Sequence, residues 1–250
     1  MTKTEIASYI DHTLLAPQAG IKQIVMLCQE AKRYSFASVC VNPVYVSSAK
    51  NELDGSGVKV CTVVGFPLGA TTTKDKINEA VNAIENGADE IDMVINIGAA
   101  KDGRFSEVGT DILEVVSACK AAGKKAGRNV IVKTIIETCL LDDATITNCC
   151  LCAKKAGADF VKTSTGFANP KGIDGVPLPN GASEHHVKLM REAVGPEMGV
   201  KASGGIRSVR TTITMLEAGA TRIGTSSGVN ILENWDESKK IHIQAFGKEK

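Results

Sequence analysis

Lys162 stands inside an apolar segment, Phe160-Val161-Lys162-Thr163-Ser164-Thr165-Gly166, that otherwise has the composition of a buried strand. An ammonium taken out of water without a partner is costly, so such a lysine is paired with a carboxylate, snorkels out at the strand end, or gives up its proton. A neutral amine is a nucleophile that forms a Schiff base with a carbonyl substrate. A second lysine, Lys201, occupies the next strand-like segment, Gly199-Val200-Lys201-Ala202-Ser203. Two neighbouring ammoniums repel, and repulsion with desolvation brings one amine down from its ordinary value of about 10.4 toward neutrality. Asp92, in Glu90-Ile91-Asp92-Met93-Val94, can balance the remaining charge and move protons. A third strand lysine, Lys133, has Glu137 four residues on, and a structural ion pair between those two is the expected arrangement.

A second chemistry is written in small residues. Ser203-Gly204-Gly205 and Gly224-Thr225-Ser226-Ser227-Gly228 lie where apolar strands give way to helical stretches, and there backbone N–H groups and hydroxyls can close on an anion such as phosphate. Other candidates have plainer readings. His12 beside a strand is a satisfied structural histidine, and His185 and His186 follow Ser183, a helix N-cap, so exposure is expected. Cys40 ends an early strand, as core or as site lining. Cys149, Cys150 and Cys152 have no neighbouring His and no second CxxC, so they read as small core residues of a helix rather than metal ligands.

The elements that must position these groups are eight short runs rich in β-branched residues, at 9–14, 37–41, 58–64, 90–95, 130–136, 160–163, 199–202 and 221–224, separated by stretches of helical spacing. Short strands buried on both faces and alternating with helices predict a parallel sheet, and eight such units in 250 residues have the dimensions of a single-domain (β/α)8 barrel spanning 1–250. After the last two strands of a barrel, the Ser/Gly motifs occupy that fold's commonest phosphate site. Asn86-Gly87-Ala88-Asp89, Ala156-Gly157-Ala158-Asp159 and Ala218-Gly219-Ala220-Thr221 each close a helical stretch and open a strand. Five residues beyond each glycine lie Asp92, Lys162 and Gly224, which therefore share one register facing the barrel interior or its rim. An open doubly wound sheet would bind nucleotide through GxGxxG or a Walker loop after an early strand, and neither stands there.

Composition limits the partners. With 29 Lys+Arg against 28 Asp+Glu and a net charge of +1, the interspersed charges give no footing for nucleic acid or an anionic membrane. No apolar run is long enough to span a bilayer, and Glu5 and Asp11 interrupt any signal peptide, which predicts a soluble cytoplasmic protein whose eight cysteines are reduced thiols.

The ordered set Ile10-Asp11-His12-Thr13-Leu14-Leu15, Val39-Cys40-Val41-Asn42-Pro43, Gly65-Phe66-Pro67-Leu68-Gly69, 89–94, 133–138, 161–167, 200–207 and 222–227 resembles the deoxyribose-phosphate aldolase family over nearly the whole chain. The resemblance implies a class I aldolase that interconverts 2-deoxy-D-ribose 5-phosphate with acetaldehyde and D-glyceraldehyde 3-phosphate, with no cofactor and no metal. It implies Lys162 as the Schiff-base lysine, Lys201 as the lysine that tunes it and Asp92 as the acid/base partner. Asp11, Thr13, Cys40 and Thr165 resemble residues lining the site, and Gly166, Ser203, Gly204, Gly205, Gly224, Ser226 and Ser227 resemble its phosphate-end contacts. The partners expected are a sugar phosphate and aldehydes, with self-association into a homo-oligomer left open. There are three departures from the pattern. Phe167 stands where some members have lysine, Val176-Pro177-Leu178-Pro179-Asn180-Gly181 lengthens a loop on the rim, and the chain ends Phe246-Gly247-Lys248-Glu249-Lys250 where some members end in tyrosine. Another Schiff-base or isomerase barrel acting on a different sugar phosphate is the alternative enzyme, and a catalytically silent phosphosugar-binding barrel the alternative of another class.

Overall fold

A computed structural model describes residues 1–238. Its strands are β1 Ile10–Leu14, β2 Ser38–Val41, β3 Lys59–Val64, β4 Glu90–Val94, β5 Ile131–Ile135, β6 Phe160–Lys162, β7 Gly199–Ser203 and β8 Arg222–Thr225. All pair in parallel with their sequence neighbours, and β8 closes on β1, giving the (β/α)8 barrel. Each lies within one residue of its predicted span at both ends.

Alternation along the strands sorts two environments. Outward side chains such as Val39, Val60, Ile91, Met93, Val132, Val161, Val200 and Ile223 join the main apolar core beneath the surrounding helices. Inward positions carry Asp11, Cys40, Cys61, Glu90, Asp92, Lys133, Lys162, Lys201 and Arg222, so the middle of this barrel is ionic where barrels are usually filled by Val, Ile and Leu. His12 points the other way: it is buried, bonds Glu30 at 2.7 Å and packs on Phe36, as a structural histidine.

The three-fold repeat has a physical basis. Gly87, Gly157 and Gly219 have φ of 111°, 77° and 107°, and the residues after them donate back to Ala83, Ala153 and Met215, ending three helices with the left-handed glycine cap. The fourth residue then ties each helix end to the sheet. Asp89, Asp159 and Thr221 accept the backbone N–H of Val60, Val132 and Val200 on the preceding strand, at 3.0, 2.7 and 3.1 Å. Helix starts at the opposite end of the barrel are capped by Thr72, Asp142, Ser183 and Ser208. Cys149 and Cys150 are buried on the helix Asp143–Lys155, as its composition predicts. Among the described residues no helix is long and apolar enough to cross a membrane. The Phe246–Lys250 tail lies outside the described residues.

Candidate active site

At the C-terminal ends of the strands, the end from which barrel enzymes work, a cavity of about 520 Å³ opens between β1, β6, β7 and β8. Of the three buried strand lysines only Lys162, at the end of β6, contributes to its lining; Lys201 and Lys133 lie deeper. Thr13, Thr165, Ser203, Gly204, Gly205, Gly224 and Ser226 line it.

Beneath Lys162 the charges interlock. Asp92 Oδ2 receives Lys162 Nζ at 2.9 Å and Lys201 Nζ at 2.7 Å, while Oδ1 receives Lys133 Nζ at 2.8 Å and the Cys61 thiol at 3.2 Å. Lys201 also meets Asp11 Oδ2 at 2.5 Å. Lys133 contacts Glu90 closely and Asp11 at 3.7 Å, and Arg222 Nη1 reaches Asp11 Oδ1 at 2.6 Å and Glu90 at 3.0 Å. Burial raises the Asp92 carboxyl, but the charges of Lys133, Lys162 and Lys201 outweigh it and hold the group well below the usual carboxylate range. For Lys201 the balance runs the other way: burial lowers the ammonium, and Asp11 with Asp92 more than offsets it, so Lys201 stays charged.

Lys133 is a correction. It does pair with carboxylates, but with Glu90, Asp92 and Asp11, not with Glu137. Strand β5 ends at Ile135, and Glu137 takes a left-handed turn (φ 59°) that swings its buried carboxylate toward β6. There it accepts the Thr165 N–H at 3.2 Å and the Thr165 hydroxyl, fixing the loop just beyond Lys162.

Asp11 and Cys40 lie below the cavity wall rather than on it. Asp11 is wholly buried among Ser38, Lys201 and Arg222, and Cys40 packs with Leu15, Cys61 and Val63. Gly166, which is exposed, and the half-buried Ser227 are not part of the lining; Ser227 donates its N–H to the Thr225 hydroxyl at 2.9 Å. Sequence reasoning missed Arg207, a cation on the wall two residues beyond the Ser-Gly-Gly motif, and missed Glu90 and Arg222 as members of the charge cluster. The signal for Glu90 and Arg222 was the one used for Lys162, a charge inside a strand.

At the phosphate-like end the backbone is braced by hydroxyls. Thr163 Oγ1 bonds Ser203 N–H and C=O at 3.0 and 3.1 Å, and Thr225 donates to Ile206 C=O at 2.6 Å. The Ser203 hydroxyl itself is buried without a partner. A Cβ on Gly224 would lie 2.3 Å from that oxygen and 2.9 Å from Lys201 Cε, so the absence of a side chain there makes room for both. The lengthened loop seats on the same segment, with Ala182 donating to Gly204 C=O at 3.1 Å and no room for a Cβ on Gly204 against Gly181. Phe167 stands edge-on to Phe66 at 5.3 Å on the rim.

Two buried sets of thiol and carboxylate, Cys40-Cys61-Asp92 and Asp11-Cys61-Glu90, have metal-like spacing, but an ammonium already sits in each: Lys133 Nζ is 3.3 Å from Cys61 Sγ besides its carboxylate contacts. A third set, Asp143-His185-His186, lies on the surface at two helix starts.

A closed parallel barrel with an amine on the floor of its rim cavity, coupled to a buried carboxylate, defines a barrel enzyme of the aldolase type. Residues 6–234 match the DeoC/LacD family aldolase model, and the chain belongs to that family. It is 54% identical over 231 residues to the deoxyribose-phosphate aldolase of Geobacillus sp. strain WCH70, covering 92% of this chain and 96% of that one. Identity to the deoxyribose-phosphate aldolase of Streptococcus pneumoniae serotype 19F (strain G54) is 56% over 229 residues, again 92% and 96% of the two chains. Among solved structures, the tetrameric deoxyribose phosphate aldolase of Aeropyrum pernix superposes with a TM-score of 0.81 at 36% identity, covering 93% of this chain and 91% of that one.

Proposed function

We propose that this chain is a class I aldolase for 2-deoxy-D-ribose 5-phosphate, with Lys162 as its covalent nucleophile. The observation that carries the reading is that Lys162 alone among the three buried strand lysines both faces the cavity and contacts Asp92. Its amine adds to C1 of the open-chain sugar, and the carbinolamine loses water to an iminium. The iminium draws the electrons of the C2–C3 bond as the C3 hydroxyl gives up its proton, releasing D-glyceraldehyde 3-phosphate. The enamine that remains is protonated at C2, and hydrolysis frees acetaldehyde and the amine.

Lys201, held as an ammonium, is the proton donor nearest this sequence, and Asp92, shared by both lysines, orders them and passes protons between them. Because Asp92 is held so strongly ionised, its part at rest is to bind cations rather than to act as a free base. Ser203, Gly204, Gly205, Gly224 and Ser226, with Arg207 on the same wall, take the phosphate, and the partnerless Ser203 hydroxyl supplies a donor. The electron sink is the lysine iminium, so the reaction as proposed uses neither metal nor cofactor. A reducing cytoplasm suits the free thiols, and a homo-oligomer, as in the Aeropyrum pernix enzyme, suits the single catalytic domain. Borohydride reduction with acetaldehyde tests the reading: an ethyl group should appear on the peptide holding Lys162. Label on Lys201 or Lys133 instead would falsify the assignment.

A further inference from the structure

Formal charges within the ion-paired cluster beneath the cavity do not balance. Lys133, Lys162, Lys201 and Arg222 stand against Asp11, Glu90 and Asp92, four cations to three carboxylates, all interlocked by contacts of 3.7 Å or less. The cluster reaches electroneutrality when one cation gives up a proton. A guanidinium does not do so in a protein, and Lys133 and Lys201 each touch two or more carboxylates. Lys162 touches one and faces the cavity.

We propose that Arg222 and Glu90 are an opposed pair of positioning residues that set the proton count of this cluster, Arg222 supplying the surplus positive charge that makes the free amine of Lys162 its electroneutral form and Glu90 limiting that surplus. Neither belongs to the cavity lining. Both open their strands at the N-terminal end of the barrel, the end away from the cavity, and Arg222 also lies 5.3 Å over the Phe160 ring. Their reach to the reacting amine runs along contiguous ion pairs: Arg222 to Asp11 to Lys201 to Asp92 to Lys162, and Glu90 to Lys133 to Asp92 to Lys162. In a medium from which water is excluded a single charge at this range is felt strongly. The buried Glu137 carboxylate, bonded to Thr165 and outside these ion pairs, and two thiols, Cys40 from β2 and Cys61 from β3, also stand close by and are kept in every variant below.

The inference rests on the reading of Lys162 as the Schiff-base lysine, and its test separates the two. The full chain is treated with acetaldehyde and cyanoborohydride between about pH 5 and pH 9, and the rate of ethylation at Lys162 is followed by peptide mass mapping. Glu90→Gln adds to the surplus and should move the acid limb of that profile down by about one pH unit, which is about tenfold in rate below the limb. Arg222→Met removes the surplus and should move the limb up by a similar amount. The double variant restores the wild-type count and should return the limb to its wild-type position. Arg222→Lys keeps the charge without the forked contact and should leave the limb in place even where turnover falls. A merely structural role would lower the rate equally at every pH and would leave the double variant worse than either single one. Should Arg222→Met fail to fold, Glu90→Gln and the double variant still decide the matter. A limb that stays fixed in Glu90→Gln, or moves upward, overturns the proposal. Absence of the ethyl group from Lys162 in the wild type overturns the earlier reading instead.

Discussion

Asp92 accepts two lysines on one oxygen and a lysine and a thiol on the other, so its two oxygens are spoken for before substrate arrives. Replacing it by asparagine keeps the shape and removes the charge that orders the amines. Asp92→Asn should slow cleavage of deoxyribose 5-phosphate by about 100-fold, the scale on which general acid/base groups act, while acetaldehyde is still trapped on Lys162. Equal loss of trapping and cleavage would place Asp92 earlier, in forming the carbinolamine. Lys201 differs because it donates from a position fixed by two carboxylates. Lys201→Leu should cost turnover on the same scale of about 100-fold, with circular dichroism unchanged, and near-normal turnover would remove Lys201 from the proton path.

At the scale of elements, the ends of β7 and β8 work as one unit. Gly224 on β8 leaves the space into which Lys201 and Ser203 of β7 project, and the contact distances a methyl group would create are too short to keep. Gly224→Ala should therefore destabilise the fold by about 1–3 kcal/mol and lower kcat by pushing Lys201 off Asp92. Trimming Ser203 as well, in Ser203→Gly with Gly224→Ala, should recover part of the stability; urea midpoints of the three variants make the comparison, and strict additivity would show that the two side chains do not compete for the space. Ser226, next along on the cavity wall with Arg207, tests the anion end. Ser226→Asp should raise KM for deoxyribose 5-phosphate at least about tenfold relative to unphosphorylated deoxyribose, since like charges would then meet. An unchanged ratio of the two kcat/KM values would move the phosphate elsewhere.

For the whole molecule, a buried histidine outside the barrel and the ionic interior make stability depend on pH in two windows. His12 is buried, and burial holds it below its ordinary value of 6.5 despite Glu30. The unfolded chain therefore takes up that proton first, and stability declines as pH falls below the ordinary value. Asp11 and Asp92 are raised by burial but held well down by the lysines and Arg222. Their contribution is present above the unfolded carboxylate value of about 3.9 and is lost as pH falls toward their folded values. Urea midpoints should fall gently from about pH 7 to pH 5.5 and steeply below about pH 4. His12→Gln should reduce the upper decline to the share of His186, which burial also holds below its ordinary value, and leave the lower one. A midpoint flat to about pH 4 in the wild type would mean that His12 takes its charge in the folded state without cost.

Much of this molecule is decided locally. The alternation of β-branched runs with helical stretches sets eight strands, and Gly-Ala-Asp at two helix ends and Gly-Ala-Thr at a third set where strands begin, because a left-handed cap needs glycine and leaves the next residues to enter the sheet. That ruler placed Asp92 and Lys162 in one register before any contact was known, since side-chain direction along a strand is a matter of counting. Counting does not reach across the barrel. Which carboxylate meets Lys133 depends on where β5 stops and on the left-handed turn at Glu137, so the four-residue spacing pointed to the wrong partner. Arg222 and Glu90 come together from strands 132 residues apart, and Asp11 meets Arg222 only because β8 closes on β1. The identity of the charged residues and the strands that carry them belongs to the sequence. Their pairing, the surplus charge that pairing leaves, and the exposure of Lys162 alone to the cavity arise only on closure of the barrel, because closure removes water and leaves each charge no partner but another strand's.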